Sequence, residues 1–132
     1  MIGDSLATAV LQRAMDGTWQ RQKSVAANIA NHDTPGYKAV KVDFENALKK
    51  AIRAFNVKPA SRSEFLNNLD KIKDSAITVV KDQAYIERAD SSNVNLEHEN
   101  IEMAKVQLEY SYLSREITDI FTRLRYAIKE GR

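Results

Sequence analysis

Two histidines, His32 and His98, are the only imidazoles in the chain, and each stands beside carboxylates. His32 is followed by Asp33, which is the pairing of a base with an orienting acid. A triad also needs a nucleophile brought to that pair; no serine is marked for the role and the chain has no cysteine. His32 therefore reads as a solvated turn histidine. His98 lies among Glu97, Glu99 and Glu102, which suggests a carboxylate metal site. A di-iron bundle takes a Glu-x-x-His motif from each of two helices, and this chain has none. Carboxylates crowding the first turns of a helix explain the cluster, because they meet the positive end of its macrodipole. Tyr110 and Tyr112 could stack on bases, but Tyr110 falls on a helical seam and reads as core. The glycines at 3, 17, 36 and 131 form neither a P-loop nor a dinucleotide fingerprint. No catalytic, cofactor-binding or metal-ligating residue is expected.

The elements around these residues are few and long. The 132 residues make one domain's worth of chain, and with four glycines and two prolines there are few places to turn. A net charge of +2 is near neutral, and only the stretch through Lys38, Lys41, Lys49, Lys50, Arg53 and Lys58 is basic. Nucleic-acid binders concentrate more charge than this. No stretch approaches the ~18 apolar residues of a membrane span, and the first residues lack the pattern of a Sec-type signal. Neither nucleic-acid binding nor membrane insertion is expected.

The clearest pattern is C-terminal. Leu96, Met103, Val106, Tyr110, Leu113, Ile117, Ile120, Leu124 and Ala127 form an a/d seam held over about four heptads, which favours coiled-coil packing. The helix should start at a cap on Asn93 or Asn95 and end by Gly131, a length of roughly 50 Å. Phe121 and Ile128 widen the stripe beyond what one partner helix covers. A weaker seam of Leu11, Met15, Thr18, Gln22, Val25 and Ile29 runs near the N-terminus, with Leu6, Val10 and Trp19 off it. Gly17 there lowers helix propensity by up to ~1 kcal/mol. A helix so composed needs a partner, and the C-terminal helix is the obvious one. The expected fold is mainly α: the two terminal helices pair as an antiparallel coiled-coil hairpin, with an irregular middle. Residues 1–31 and 93–132 would be the paired-helix domain and 32–92 the excursion between them.

In SVAANIANHDTPGYKA, Asn31 can take the left-handed conformation that closes a helix, and Thr34 is pushed out of the α region by the proline after it. Pro35-Gly36 supplies a type II turn. Beyond it, Phe44, Leu48, Ala51, Ile52 and Phe55 have helical spacing. Phe65, Leu66, Leu69 and Ile72 permit a second short helix, with Ser61 and Glu64 spaced as a capping box. Ile77 to Val80 and Tyr85-Ile86 could form a small β-hairpin.

Asn28-Ile29-Ala30-Asn31, continuing through Asp33-Thr34-Pro35-Gly36-Tyr37-Lys38, resembles the N-terminal motif of the bacterial flagellar rod and hook family. Val42-Asp43-Phe44-Glu45 with Leu48 is similar to its proximal rod members. So are Ser92-Asn93-Val94-Asn95-Leu96-Glu97, then Glu102-Met103-Ala104-Lys105, Gln107-Leu108 and Tyr110. The likeness covers roughly residues 5–50 and 90–129. Departures are Ser92, where the family often has Gly or Asn, Asn95 where it has Asp, and His32 where it has a small or apolar residue. The resemblance implies a non-enzymatic structural subunit of the periplasm-spanning rod, exported by the flagellar type III apparatus without a cleaved signal. The implied partners are further copies of the chain, the rod protein FlgC and the adaptor FliE, with the MS ring and export gate nearby. The motif residues Asn28, Asn31, Asp33, Thr34, Pro35, Gly36 and Tyr37 would set the turn, and the two seams with Phe121 and Ile128 would carry assembly. Without the resemblance, a coiled-coil adaptor or export chaperone fits the same seams, and a small RNA-binding or catalytic helical protein is a third reading.

Overall fold

A computed structural model describes residues 2–55, 58–82, 89 and 91–131. Helix α1 spans Ile2–Ala30, strand β1 Val40–Asp43, helix α2 Glu45–Arg53, helix α3 Arg62–Lys73, strand β2 Thr78–Lys81 and helix α4 Leu96–Glu130. The two long helices lie side by side. Asn28 of α1 bonds Glu99 near the start of α4, while Trp19 meets Tyr110 further along, at 6.5 Å between ring centroids. One chain position rises as the other falls, so the helices are antiparallel, as the seams require.

α1 has two working faces. One meets α4, with Trp19 against Tyr110 and Asn28 bonded to Glu99. On the other, Ala9 joins Val42, Phe44, Leu48, Leu69 and Ile72 in the hydrophobic core, with Leu6, Val10 and Ala14 packed on its edge. That is why Leu6 and Val10 sit off the seam: they serve a second contact. Short α2 and α3 could not persist alone in water; burying Leu48, Leu69 and Ile72 against α1 stabilises them. Phe55 and Phe65 meet edge to face at 6.0 Å, holding α2 to α3. Ser61 accepts a hydrogen bond from the Glu64 amide at 3.1 Å, while the Glu64 carboxylate accepts from the Ala60 amide at 2.8 Å. The N-terminal orphan donors are satisfied from both directions, with the return bond one residue earlier than in a standard capping box.

Gly17 has a purpose that propensity alone does not reveal. The Phe44 ring lies against the α1 backbone there, and a Cβ on Gly17 would come closer than 3.0 Å to three ring carbons. The glycine lowers helix propensity and in return admits the ring that anchors the start of α2.

Two expectations are corrected, and a third falls outside the described residues. In the described sheet β2 pairs antiparallel with β1, Val40 opposite Lys81 and Asp43 opposite Thr78; the hairpin expected with Tyr85-Ile86 lies outside the described residues. A strand following the Pro-Gly turn offers a ladder already braced on α1, which a free two-stranded ribbon lacks. Asn31 does not adopt positive φ; among the described non-glycine residues only Ser91 does, at 63°. Leu96 is 38% exposed, whereas Glu99, three residues on, is 6% exposed and holds the inward place. The α4 cap is Asn95, whose side chain accepts from the His98 amide, and the helix ends at Gly131.

Candidate assembly site: the motif turn and the helix faces

The helix end is closed by the side chain of Asn31 in a right-handed backbone. Its Nδ2 donates to the Ala27 carbonyl at 2.8 Å, and its Oδ1 accepts from the Thr34 hydroxyl at 3.1 Å. The Thr34 amide then returns to the Asn31 carbonyl and the Tyr37 amide to the Thr34 carbonyl. Gly36, at φ +73°, sits third in that last turn, which identifies it as type II with Pro35 second. Asp33, Thr34, Pro35 and Gly36 are exposed, and Tyr37 is half-buried. His32 bonds the Ile29 carbonyl through Nδ1 at 2.9 Å and approaches Asp33 through Nε2 at 3.1 Å. It is part of the turn.

The turn delivers Val40 to Asn28, whose side chain is 1% exposed. Asn28 Nδ2 donates to the Val40 carbonyl at 2.9 Å and to Glu99 Oε2 at 3.0 Å. Its Oδ1 accepts from the Val40 amide at 2.9 Å and from the Tyr37 hydroxyl at 3.2 Å. Two donors and two acceptor sites are all an amide side chain has, so Asn28 is saturated. It pairs with both backbone groups of Val40 as a neighbouring strand would. Arg21, one and a half to two turns earlier, does the same for the Val42 carbonyl at 3.1 Å, bonds Glu45 at 2.5 Å, and lies 4.9 Å over the Phe44 ring. The edge of β1 facing α1 is thus closed by side chains.

On the other side, Asn93 enters the ladder. Its Oδ1 accepts from the Ala39 amide at 2.7 Å and its Nδ2 donates to the Asp82 carbonyl at 2.8 Å. Lys38 donates to the Ser91 carbonyl at 2.8 Å, and Lys41 pairs with Asp82 at 2.6 Å. The two sequence motifs, around residues 28–38 and 92–99, meet here across β1.

The charges nearby respond. Burial, and after it the Glu99 charge, push the Tyr37 phenol above its ordinary value. At Glu45 burial works upward, but the Arg21 hydrogen bond, backbone amides and the Arg21 charge together hold the carboxyl below its ordinary value. The Lys105 hydrogen bond does the same for Glu102 against the pull of burial. A cleft of about 230 Å³ opens between Arg21, Ser24, Lys41, His98, Glu99 and Glu102. Among the described residues no group of three or more potential ligands is arranged to hold a metal ion, and no helix is long and apolar enough to cross a membrane.

Along the seams, Val25, Val106 and Ile120 are buried. Leu11, Met15, Ile29, Met103, Tyr110, Leu113, Ile117 and Leu124 are half-buried, and Ala127 is exposed. Phe121 and Ile128 are 53% and 70% exposed, and the outer side of α4 also presents Ile101, Leu108, Tyr112 and Tyr126. Sequence reasoning missed Glu99 and Arg21. Glu99 could have been found as the d position between Leu96 and Met103, where the heptad demands an inward side chain. Arg21 carries no such signal.

Residues 9–38 match the family described as Flagella basal body rod protein, a span that includes Asn28 and the turn. The rod protein FlgB of Buchnera aphidicola subsp. Acyrthosiphon pisum (strain APS) is 32% identical over 125 residues, covering 89% of this chain and 90% of that one. FlgB of Bacillus subtilis (strain 168) is 30% identical over 123 residues and 92% of both. FlgB of Borrelia hermsii is 32% identical over 125 residues, 89% of this chain and 91% of that one. With likeness sustained from end to end, and with both motifs meeting at one strand, the chain belongs to the FlgB family of flagellar basal body rod proteins.

Proposed function

We propose that this structural rod subunit builds the proximal rod by packing its outer helix faces against further copies and neighbouring rod proteins, forming a helical tube that transmits torque. The exposed surface supports the reading. A compact monomer of 14.9 kDa exposes about 7,000 Å², whereas this chain exposes 9146 Å². The surplus, on the order of 2,000 Å², is the scale of a stable protein interface. Exposed apolar side chains line the outer side of α4, Leu108, Phe121 and Ile128 among them. A head-to-tail contact between such faces that does not close gives a filament.

In this reading residues 1–31 and 93–132 form the assembling helix pair and 32–92 brace it through α1. The motif residues Asn28, Asn31, Asp33, Thr34, Pro35, Gly36 and Tyr37 set the turn, and the subunit does no catalysis. FlgC, FliE, the MS ring and the export gate are its neighbours; nucleic acid is not. The test is Phe121→Lys with Ile128→Lys, both on surface that folding leaves open. The monomer should keep its helical circular dichroism while isolated basal bodies lack the subunit and cells stop swimming. Parental incorporation and swimming would overturn the reading.

A further inference from the structure

A heptad seam is degenerate along its axis. From Met103 to Leu124 every a and d position of α4 is apolar or Tyr, and apolar contact is non-directional. Sliding α4 by one heptad, about 10.5 Å, would exchange one set of apolar neighbours for another. Directional contacts are what can forbid it. The Arg21–Glu109 pair crosses the helices at 3.7 Å, but Glu109 is 52% exposed, and an ion pair so placed holds weakly. The buried contacts are different in kind. Asn28 reaches Glu99 across 71 residues of sequence, with both side chains buried. Asn93, two residues before the α4 cap, reaches Ala39 and Asp82.

We propose that Asn28, Asn93 and Glu99 form a polar clasp on β1 that fixes the axial register of the α1–α4 hairpin. Asn28 and Asn93 are strand mimics on opposite sides of the same short strand. Each offers an amide where a neighbouring strand would offer a peptide group: Asn28 takes both backbone groups of Val40, and Asn93 bridges Ala39, just before β1, to Asp82, just after β2. Glu99 then ties α4 directly to Asn28. Shifting α4 by a heptad would leave Glu99 without its donor and pull Asn93 out of the ladder, and buried polar groups left unpaired make that register unfavourable. A single polar contact inside an apolar seam is known to set register in this manner. The consequence for assembly is that the outer stripe of α4 is presented at one height relative to the turn, a condition for identical subunits to repeat.

The test uses the full chain as monomer, so its outcome is independent of whether the rod reading holds. The chain has no cysteine, so spin labels can be placed on cysteines introduced at exposed Ala26 and Thr118. The parent and Glu99→Gln, which keeps an acceptor for Asn28, should give one narrow distance. Glu99→Leu combined with Asn93→Ala should add a second population whose axial offset differs by about 10 Å. Should that variant fail to fold, Glu99→Leu alone should split or broaden the distribution relative to Glu99→Gln. A single parental distance in the double variant, or in Glu99→Leu where the double variant does not fold, overturns the proposal.

Discussion

Gly17→Ala sets two physical effects against each other with opposite signs. In an exposed helix interior the change stabilises by about 1 kcal/mol, because alanine loses less backbone entropy on folding. In α1 the new methyl would lie inside 3.0 Å of three carbons of the Phe44 ring, its root atom Cγ among them. The root of a ring cannot swing aside as the end of a flexible chain can. Phe44 is 6% exposed and carries the Arg21 guanidinium on its face, so relief requires moving the β1–α2 junction. Overpacking of this kind costs about 1–3 kcal/mol, and contact with the ring's root favours the upper half. The expected net effect is a loss of about 1–2 kcal/mol, roughly tenfold in the folding equilibrium. Urea unfolding followed by circular dichroism measures it, and Phe44→Leu should offset part of the loss when combined with Gly17→Ala. A Gly17→Ala chain more stable than the parent by about 1 kcal/mol would refute the reasoning, because propensity would then have won.

Asn28→Ala should lose on the order of 2–4 kcal/mol in the same unfolding assay, since it strands the Val40 amide and carbonyl and removes the donor to Glu99; a change within 0.5 kcal/mol of zero, on the scale of a neutral surface substitution, would contradict the saturated network. Replacing Pro35-Gly36 by Ala-Ala puts a side chain at φ +73° at about 1–2 kcal/mol and should lower incorporation into isolated basal bodies, whereas unchanged incorporation would make the turn dispensable. The Glu45 carboxyl is held below its ordinary value, so its contribution is present above the usual carboxylate range and fades as pH falls through the folded value. The stability gap between the parent and Glu45→Gln should therefore narrow between about pH 7 and pH 3; a gap that widens on acidification would reverse the assignment.

Local signals were legible because they act within a turn or two of chain. The three-four spacing of Met103 to Leu124 announced a long helix and the need for a partner. Ser61 with Glu64 announced an N-terminus, Asn93 or Asn95 a cap, of which Asn95 makes it, and Pro35-Gly36 the turn that Gly36 makes at positive φ. Each pattern is set by backbone geometry that a neighbour three or four residues away can satisfy. The likeness of the two motifs to a rod family was also readable, though not the reason they occur together.

That reason belongs to tertiary structure. Nothing near Asn28 in sequence tells it to act as a strand beside Val40 while donating to Glu99, and Glu99 looked like one more carboxylate in a charged first turn. Nothing within β2 names β1 as its partner; the two meet across 34 intervening residues, on a strand whose other edge is braced by Arg21 and Asn28. Gly17 read as a weakness until Phe44 was placed against it. Periodicity decides which face of a helix is apolar. Which buried polar group meets which partner is decided only once distant segments exclude water together, because an unpaired group then costs more than any local preference supplies.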